Sequence, residues 1–139
     1  MSAQPDWPAA GGLERWRLLF AAVGVYDFVL GFAFFWFYQP LFDALDVAEP
    51  ETGAYVHLAA ALIALQGVSY FLVARRPLRN IDLVVVGVLY KLAYTGLALY
   101  YWAIVEIPHD LFLVFGLVDA LVLVAFVAFL RRFQRELTG

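Results

Sequence analysis

Four long apolar stretches alternate with short polar ones along this chain of 139 residues. They fall at about 16–38, 54–74, 81–104 and 110–130. Each approaches or exceeds the roughly 20 residues that span the hydrocarbon core of a bilayer as a helix. The runs are continuous and lack the strict alternation of a membrane β-strand. The pattern predicts an all-α, polytopic membrane protein, with a four-transmembrane-helix bundle over 15–135. Residues 1–14 and 136–139 are left as tails. Two prolines and Gly11-Gly12 make the first tail read as flexible. It does not read as a signal peptide, because no basic region precedes the apolar run.

The predicted ends carry recognisable signals. Pro40 closes helix 1 after Tyr38, because proline lacks the backbone N–H that a helix interior needs. The stretch from Leu41 to Leu45 fits a short interfacial helix. Pro108, His109 and Asp110 make a start for helix 4, which stops at Arg131 and Arg132. Aromatic residues crowd the ends of helix 1 (Phe34 to Tyr38) and helix 3 (Tyr100 to Trp102). Trp7 and Trp16 are also the right type for anchors at a headgroup boundary.

Charge orients this picture. The chain is 65% hydrophobic and 15% charged, with a net charge of −3. All eight arginines (Arg15, Arg17, Arg75, Arg76, Arg79, Arg131, Arg132 and Arg135) fall at one end of the predicted bundle. The loops at the other end hold Asp43, Asp46, Glu49, Glu51, Glu106 and Asp110 and no Lys or Arg. Basic loops stay in the cytoplasm. Both termini are therefore expected to be cytoplasmic, and the chain is expected in the cell inner membrane. No cysteine is present, so disulfide and thiolate chemistry are absent.

Against this apolar background three charges stand out. Lys91, the only lysine, lies near the middle of helix 3, with Asp27 in helix 1 and Asp119 in helix 4. A charge at the centre of a membrane helix costs about 2.5–3.5 kcal/mol on insertion scales. At about 1.5 Å per residue, all three lie roughly 15–16 Å from the arginine-rich end, and Gln66 in helix 2 lies at roughly 12 Å. The spacing predicts one polar layer, with Lys91 between Asp27 and Asp119 and Gln66 nearby. Tyr26, Tyr70, Tyr90 and Tyr94 are within a turn of these groups and are placed to donate hydrogen bonds to the carboxylates. Gly24 and Gly31 share the face of Asp27, and Ala60, Ala61, Ala64 and Gly67 form a stripe on helix 2. Small residues of this kind let membrane helices pack closely.

Such a layer has two readings. Buried polar groups can fix which helices meet and at what register. That makes the chain a packing or interaction subunit of a membrane complex, or a homo-oligomer, and this is the leading expectation. Alternatively an intramembrane ionisable residue marks a site. Two aspartates and one lysine do not balance, so the layer can take up a proton or a cation as in a carrier. Asp27, Gln66, Lys91, Asp119, Tyr90 and Tyr94 are then the candidate site residues. A membrane enzyme acting on a lipid or quinone is a third reading. His57 and His109 sit near the carboxylate-rich end and are weak candidates for metal or haem ligands. No motif supports either role, and no cofactor is expected. No phosphate-binding loop is present and nucleic acid is not an expected partner; the lipid bilayer is.

The stretch at 60–76 (AALIALQGVSYFLVARR), the following Pro77-Leu78-Arg79-Asn80 and the charged helix around Lys91 resemble the small four-helix bacterial inner-membrane proteins of the DoxX-like kind. The resemblance spans the four-helix region and implies a four-helix membrane fold. It implies no particular chemistry.

Overall fold

The computed structural model of the chain describes the backbone of residues 10–138 and the side chains from Gly12 to Gln134. Residues 1–9, with Trp7, and the side chain of Arg135 lie outside the described residues. The described chain is all-helical. Helix α1 runs Ala10–Ala44, α2 Ala54–Arg75, α3 Ile81–Ile104 and α4 Asp110–Thr138. A single 3-10 turn, Pro77–Arg79, separates α2 from α3. All four helices are long and apolar enough to cross a membrane. Leu65, Leu89, Leu121 and Val124 are each at least 60% exposed on the outside of the bundle. That outward apolar surface is the reverse of a water-soluble protein's.

The helices extend further than the apolar pattern predicts. Residues 10–14, read from sequence as tail, form the first turn of α1. At the other end α4 continues through Arg131 and Arg132 to Thr138. Arg, Gln, Glu and Leu are good helix formers, so polarity there marks the edge of the apolar layer and not the end of the helix.

Pro40 does not end α1 either. The helix breaks at Phe37 (φ −130°, ψ 22°) and resumes through Pro40 to Ala44. Proline gives no N–H to the carbonyl of Trp36 and crowds it, which accounts for a break one residue on. It is tolerated in the first turn of the new segment for the same reason that it is disruptive inside a helix. The segment closes at Asp46, a non-glycine residue with φ 54°. The Val47 N–H donates to Phe42 O (2.9 Å) and the Asp46 N–H to Asp43 O (3.2 Å). These are the two bonds of a Schellman end. They hold Phe42, itself buried, over the bundle.

Packing divides the bundle into two hairpins. In the first, α1 and α2 meet through the small residues. A methyl group added to Gly67 would lie 2.6 Å from Phe28 N and 2.7 Å from Gly24 O. One added to Gly31 would lie 2.5 Å from Ala60 O and from Ala64 N. Only glycine allows backbones this close. In the second, α3 and α4 meet where a methyl on Gly116 would touch the Ala98 side chain at 2.7 Å, and Thr95 Oγ1 donates to Gly116 O at 3.2 Å.

Aromatic side chains join the hairpins. Phe20 of α1 lies 4.9 Å from Phe126 and 5.1 Å from Phe129, and Tyr70 of α2 lies 5.1 Å from Phe126. Trp16 packs on Phe129 at 5.3 Å. This half-buried tryptophan faces the core, whereas an interfacial anchor would face the headgroups. Each such ring pair is worth about 0.5–1.5 kcal/mol beyond the area it covers. Together with Val73 and Val84 these rings seal the arginine-rich half of the bundle.

Candidate functional site

The polar layer lies where the aromatic seal stops. Asp27 and Lys91 project from the first helix of each hairpin, and Asp119 from α4. Lys91 Nζ donates to both oxygens of Asp27, at 2.9 and 2.8 Å, and to Oδ1 of Asp119 at 2.8 Å. An ammonium has three donors, so its capacity is used within the layer. The Lys91 and Asp27 side chains are 1% and 2% exposed, and that of Asp119 is 7%. Charge-assisted bonds of this length are roughly twice as strong as neutral ones. The pairing expected from helix depth is present, and it ties the two hairpins together.

The tyrosines act differently from expectation. None donates to a carboxylate among the described residues. Instead the rings of Tyr90, Tyr70 and Tyr26 stand 5.4, 5.6 and 6.0 Å from Lys91 Nζ, within reach of cation–π attraction. The hydroxyls of Tyr26 and Tyr70 are buried with no hydrogen-bond partner among the described residues. Tyr94 gives a long bond of 3.5 Å to Phe112 O. Gln66 does not join the charged groups. Its amide nitrogen is buried and unbonded beside Tyr70, and its backbone carbonyl accepts a bond from Ser69 Oγ at 2.7 Å. Gln66 lies two to three residues short of the depth of the charges, beside Tyr70 instead.

The histidines have other neighbours. His57 is exposed and packs against Phe35 and Tyr38, with ring centroids 5.0 and 5.4 Å away. His109 accepts the Leu111 N–H on Nδ1 at 3.0 Å, which caps the start of α4. No group of three or more His, Asp or Glu suited to a metal occurs among the described residues.

Next to the layer is a feature that sequence reading missed. A cavity of about 310 Å³ runs from Asp27 and Asp119 toward the carboxylate-rich end. Its walls include Leu30 and Phe34 of α1, Ile63 of α2, Tyr90 and Tyr94 of α3, and Phe112 and Phe115 of α4. Phe42 and the exposed Tyr55 stand at its outer end. The signal for it was present as helical spacing: Phe112, Phe115 and Asp119 share one face, as do Tyr26, Leu30 and Phe34. Read singly, these aromatics look like headgroup anchors or core.

The layer and cavity meet at Asp119. Its Oδ1 is held by Lys91, while Oδ2 takes no hydrogen bond among the described residues. Asp119 and Asp27 both line the cavity, and Lys91 does not. With both carboxylates ionised the layer carries one negative charge in excess. A proton or a bound cation completes it. Protein-family models, curated proteins and solved structures were all compared with this chain, and none matches it.

Proposed function

We propose that the chain is a small multi-pass inner-membrane protein of carrier type, with its ligand site on the Asp27–Lys91–Asp119 layer. The observation that supports this reading is the cavity that ends on the layer. A buried ion pair that served packing alone needs no apolar, aromatic-walled space leading to it. A well-formed apolar pocket with a few converging polar groups is the default ligand site. The eight arginines at one end support an orientation with both termini in the cytoplasm and the cavity facing outward. The resemblance to DoxX-like proteins supports a bacterial inner membrane as the setting.

The packing suggests how such a carrier would work. Small residues bring the α1 and α2 backbones into contact in the first hairpin, and Gly116 seats the Ala98 side chain in the second. The contact between hairpins is made of side chains, which can re-pack. Rocking one hairpin against the other would part the Phe20–Phe126 seal and open the opposite side.

Access tests the reading directly, since the chain has no cysteine of its own. Leu30→Cys places a thiol in the cavity wall, and Val84→Cys places one in the sealed half at a position 0% exposed. A water-soluble methanethiosulfonate added to the folded protein should label the first and not the second. Failure to label Leu30→Cys would remove the ligand site.

A second reading has its own observation. Lys91 is saturated by the two aspartates and joins the hairpins. On this reading the layer is a cross-tie in a packing subunit of a larger complex.

A further inference from the structure

We infer that the cavity takes a small organic monocation with an apolar body, seated with its charge against Oδ2 of Asp119. This rests on reading the cavity as a ligand site, and four observations narrow the ligand. First, two carboxylates and one ammonium meet at its floor, so the site is short of one positive charge. Second, the arrangement is lopsided. Lys91 spends all its donors behind the floor, while Asp119 Oδ2 takes no bond and its side chain borders the cavity. A ligand therefore meets the carboxylate and not the lysine.

Third, the walls next to Asp119 are rings: Tyr26, Tyr90 and Tyr94 beside it, and Phe115 one turn away. Aromatic faces attract cations, and attract them more when water is excluded. A proton would balance the charge equally well but needs neither the rings nor the space. Fourth, the approach is electronegative. The loops at the cavity end carry six carboxylates and no Lys or Arg, a distribution that gathers cations and repels anions.

Other ligand classes fit less well. An anion meets two carboxylates. A neutral molecule leaves the excess charge buried and unpaired, which is costly. A divalent metal would need the carboxylate oxygens that Lys91 already holds, and no third ligand stands nearby among the described residues. The volume of about 310 Å³ sets the size. It lies at the small end of the roughly 300–1,000 Å³ typical of ligand pockets, which suits a single ring with a charged head.

Three probes of nearly equal size test the inference on the purified protein. They are benzyltrimethylammonium, its neutral isostere neopentylbenzene, and the anion 3-phenylpropionate. Ile63→Trp, which fills the cavity without touching a charge, corrects for partition into the micelle. The ammonium should bind at least tenfold more tightly than either of the others. Asp119→Asn should reduce its affinity at least tenfold, and Ile63→Trp should abolish specific binding. Circular dichroism and melting of each variant establish that it is folded. If Asp119→Asn does not fold, the three-probe order in the unmodified protein still decides the matter. Equal binding of the neutral isostere would overturn the cationic class while leaving the cavity as a ligand site. No binding of any probe to a protein whose Leu30→Cys variant labels would also overturn it. A Leu30→Cys variant that does not label removes the cavity itself.

Discussion

The sharpest test of the polar layer is to remove its centre. Lys91→Met keeps the length of the side chain and takes away the ammonium. Three hydrogen bonds of 2.8–2.9 Å disappear together, and two carboxylates at 2% and 7% exposure lose their partner. Removing one member of a buried pair costs about 3–5 kcal/mol, mostly because the remaining charge is left uncompensated. Here two charges are left, so the upper part of that range applies. At about 2–4 °C per kcal/mol the melting temperature should fall on the order of 10 °C. The triple variant Asp27→Asn, Lys91→Met, Asp119→Asn has no buried charge in the layer. It should recover most of the loss, since replacing a whole buried ion pair is often neutral. Thermal unfolding in detergent, followed by circular dichroism, measures both. A Lys91→Met protein as stable as the parent, or a triple variant less stable than the single one, would refute the account of the layer. Activity separates the two functional readings. If the layer is a cross-tie, the triple variant regains the host phenotype with the fold; if it is a ligand site, the triple variant folds and binds no ammonium probe.

The other predictions are simpler. Gly31→Ala and Gly67→Ala should each destabilise the fold by about 1–3 kcal/mol, because the added methyl meets backbone at 2.5–2.7 Å. Gly96→Ala, with nothing within 4 Å of the new methyl, should stabilise it by about 0.5–1 kcal/mol in the same melting assay. Phe126→Ala opens the centre of the aromatic seal and should cost about 3–5 kcal/mol. A cysteine in place of Glu49 should label from outside intact cells while tags on both termini stay protected. Labelling of Glu49→Cys only after permeabilisation would reverse the orientation.

Much of the helical layout was legible in the sequence, for a physical reason. A bilayer sets both the length and the polarity of whatever crosses it, so four apolar runs give four helices. The same constraint made the layer legible. Counting rise per residue placed Asp27, Lys91 and Asp119 at one depth, and a charge in lipid has little choice but to find another. The helix ends were hidden because composition reports where the chain leaves the apolar layer. It does not report where hydrogen bonding stops, as Arg131 to Thr138 show. The tyrosine hydroxyls were misjudged because depth fixes a residue's height and not the direction its ring takes. Tyr26 adjoins Asp27 and so shares the level of the charges, yet its ring stands 6.0 Å from Lys91 Nζ and its hydroxyl reaches no carboxylate. The cavity was hidden for a further reason. It is space left between four helices, and no single helix encodes its volume.

The bond between Asp27 and Lys91 also bears on how the chain is made. Its two ends are 64 residues apart, and each belongs to a different hairpin. At ribosomal rates of about 5–20 residues per second, Asp27 is made roughly 3–13 s before Lys91. During that interval the centre of the first hairpin holds an aspartate with no cation to answer it. An aspartate there raises the cost of insertion by about 2.5–3.5 kcal/mol. The glycine-lined contact between α1 and α2 draws only on residues made before Lys91. Lys91, when it arrives, brings its charge to a chain that already holds the opposite one. Pairing with Asp27 then ties the second hairpin to the first.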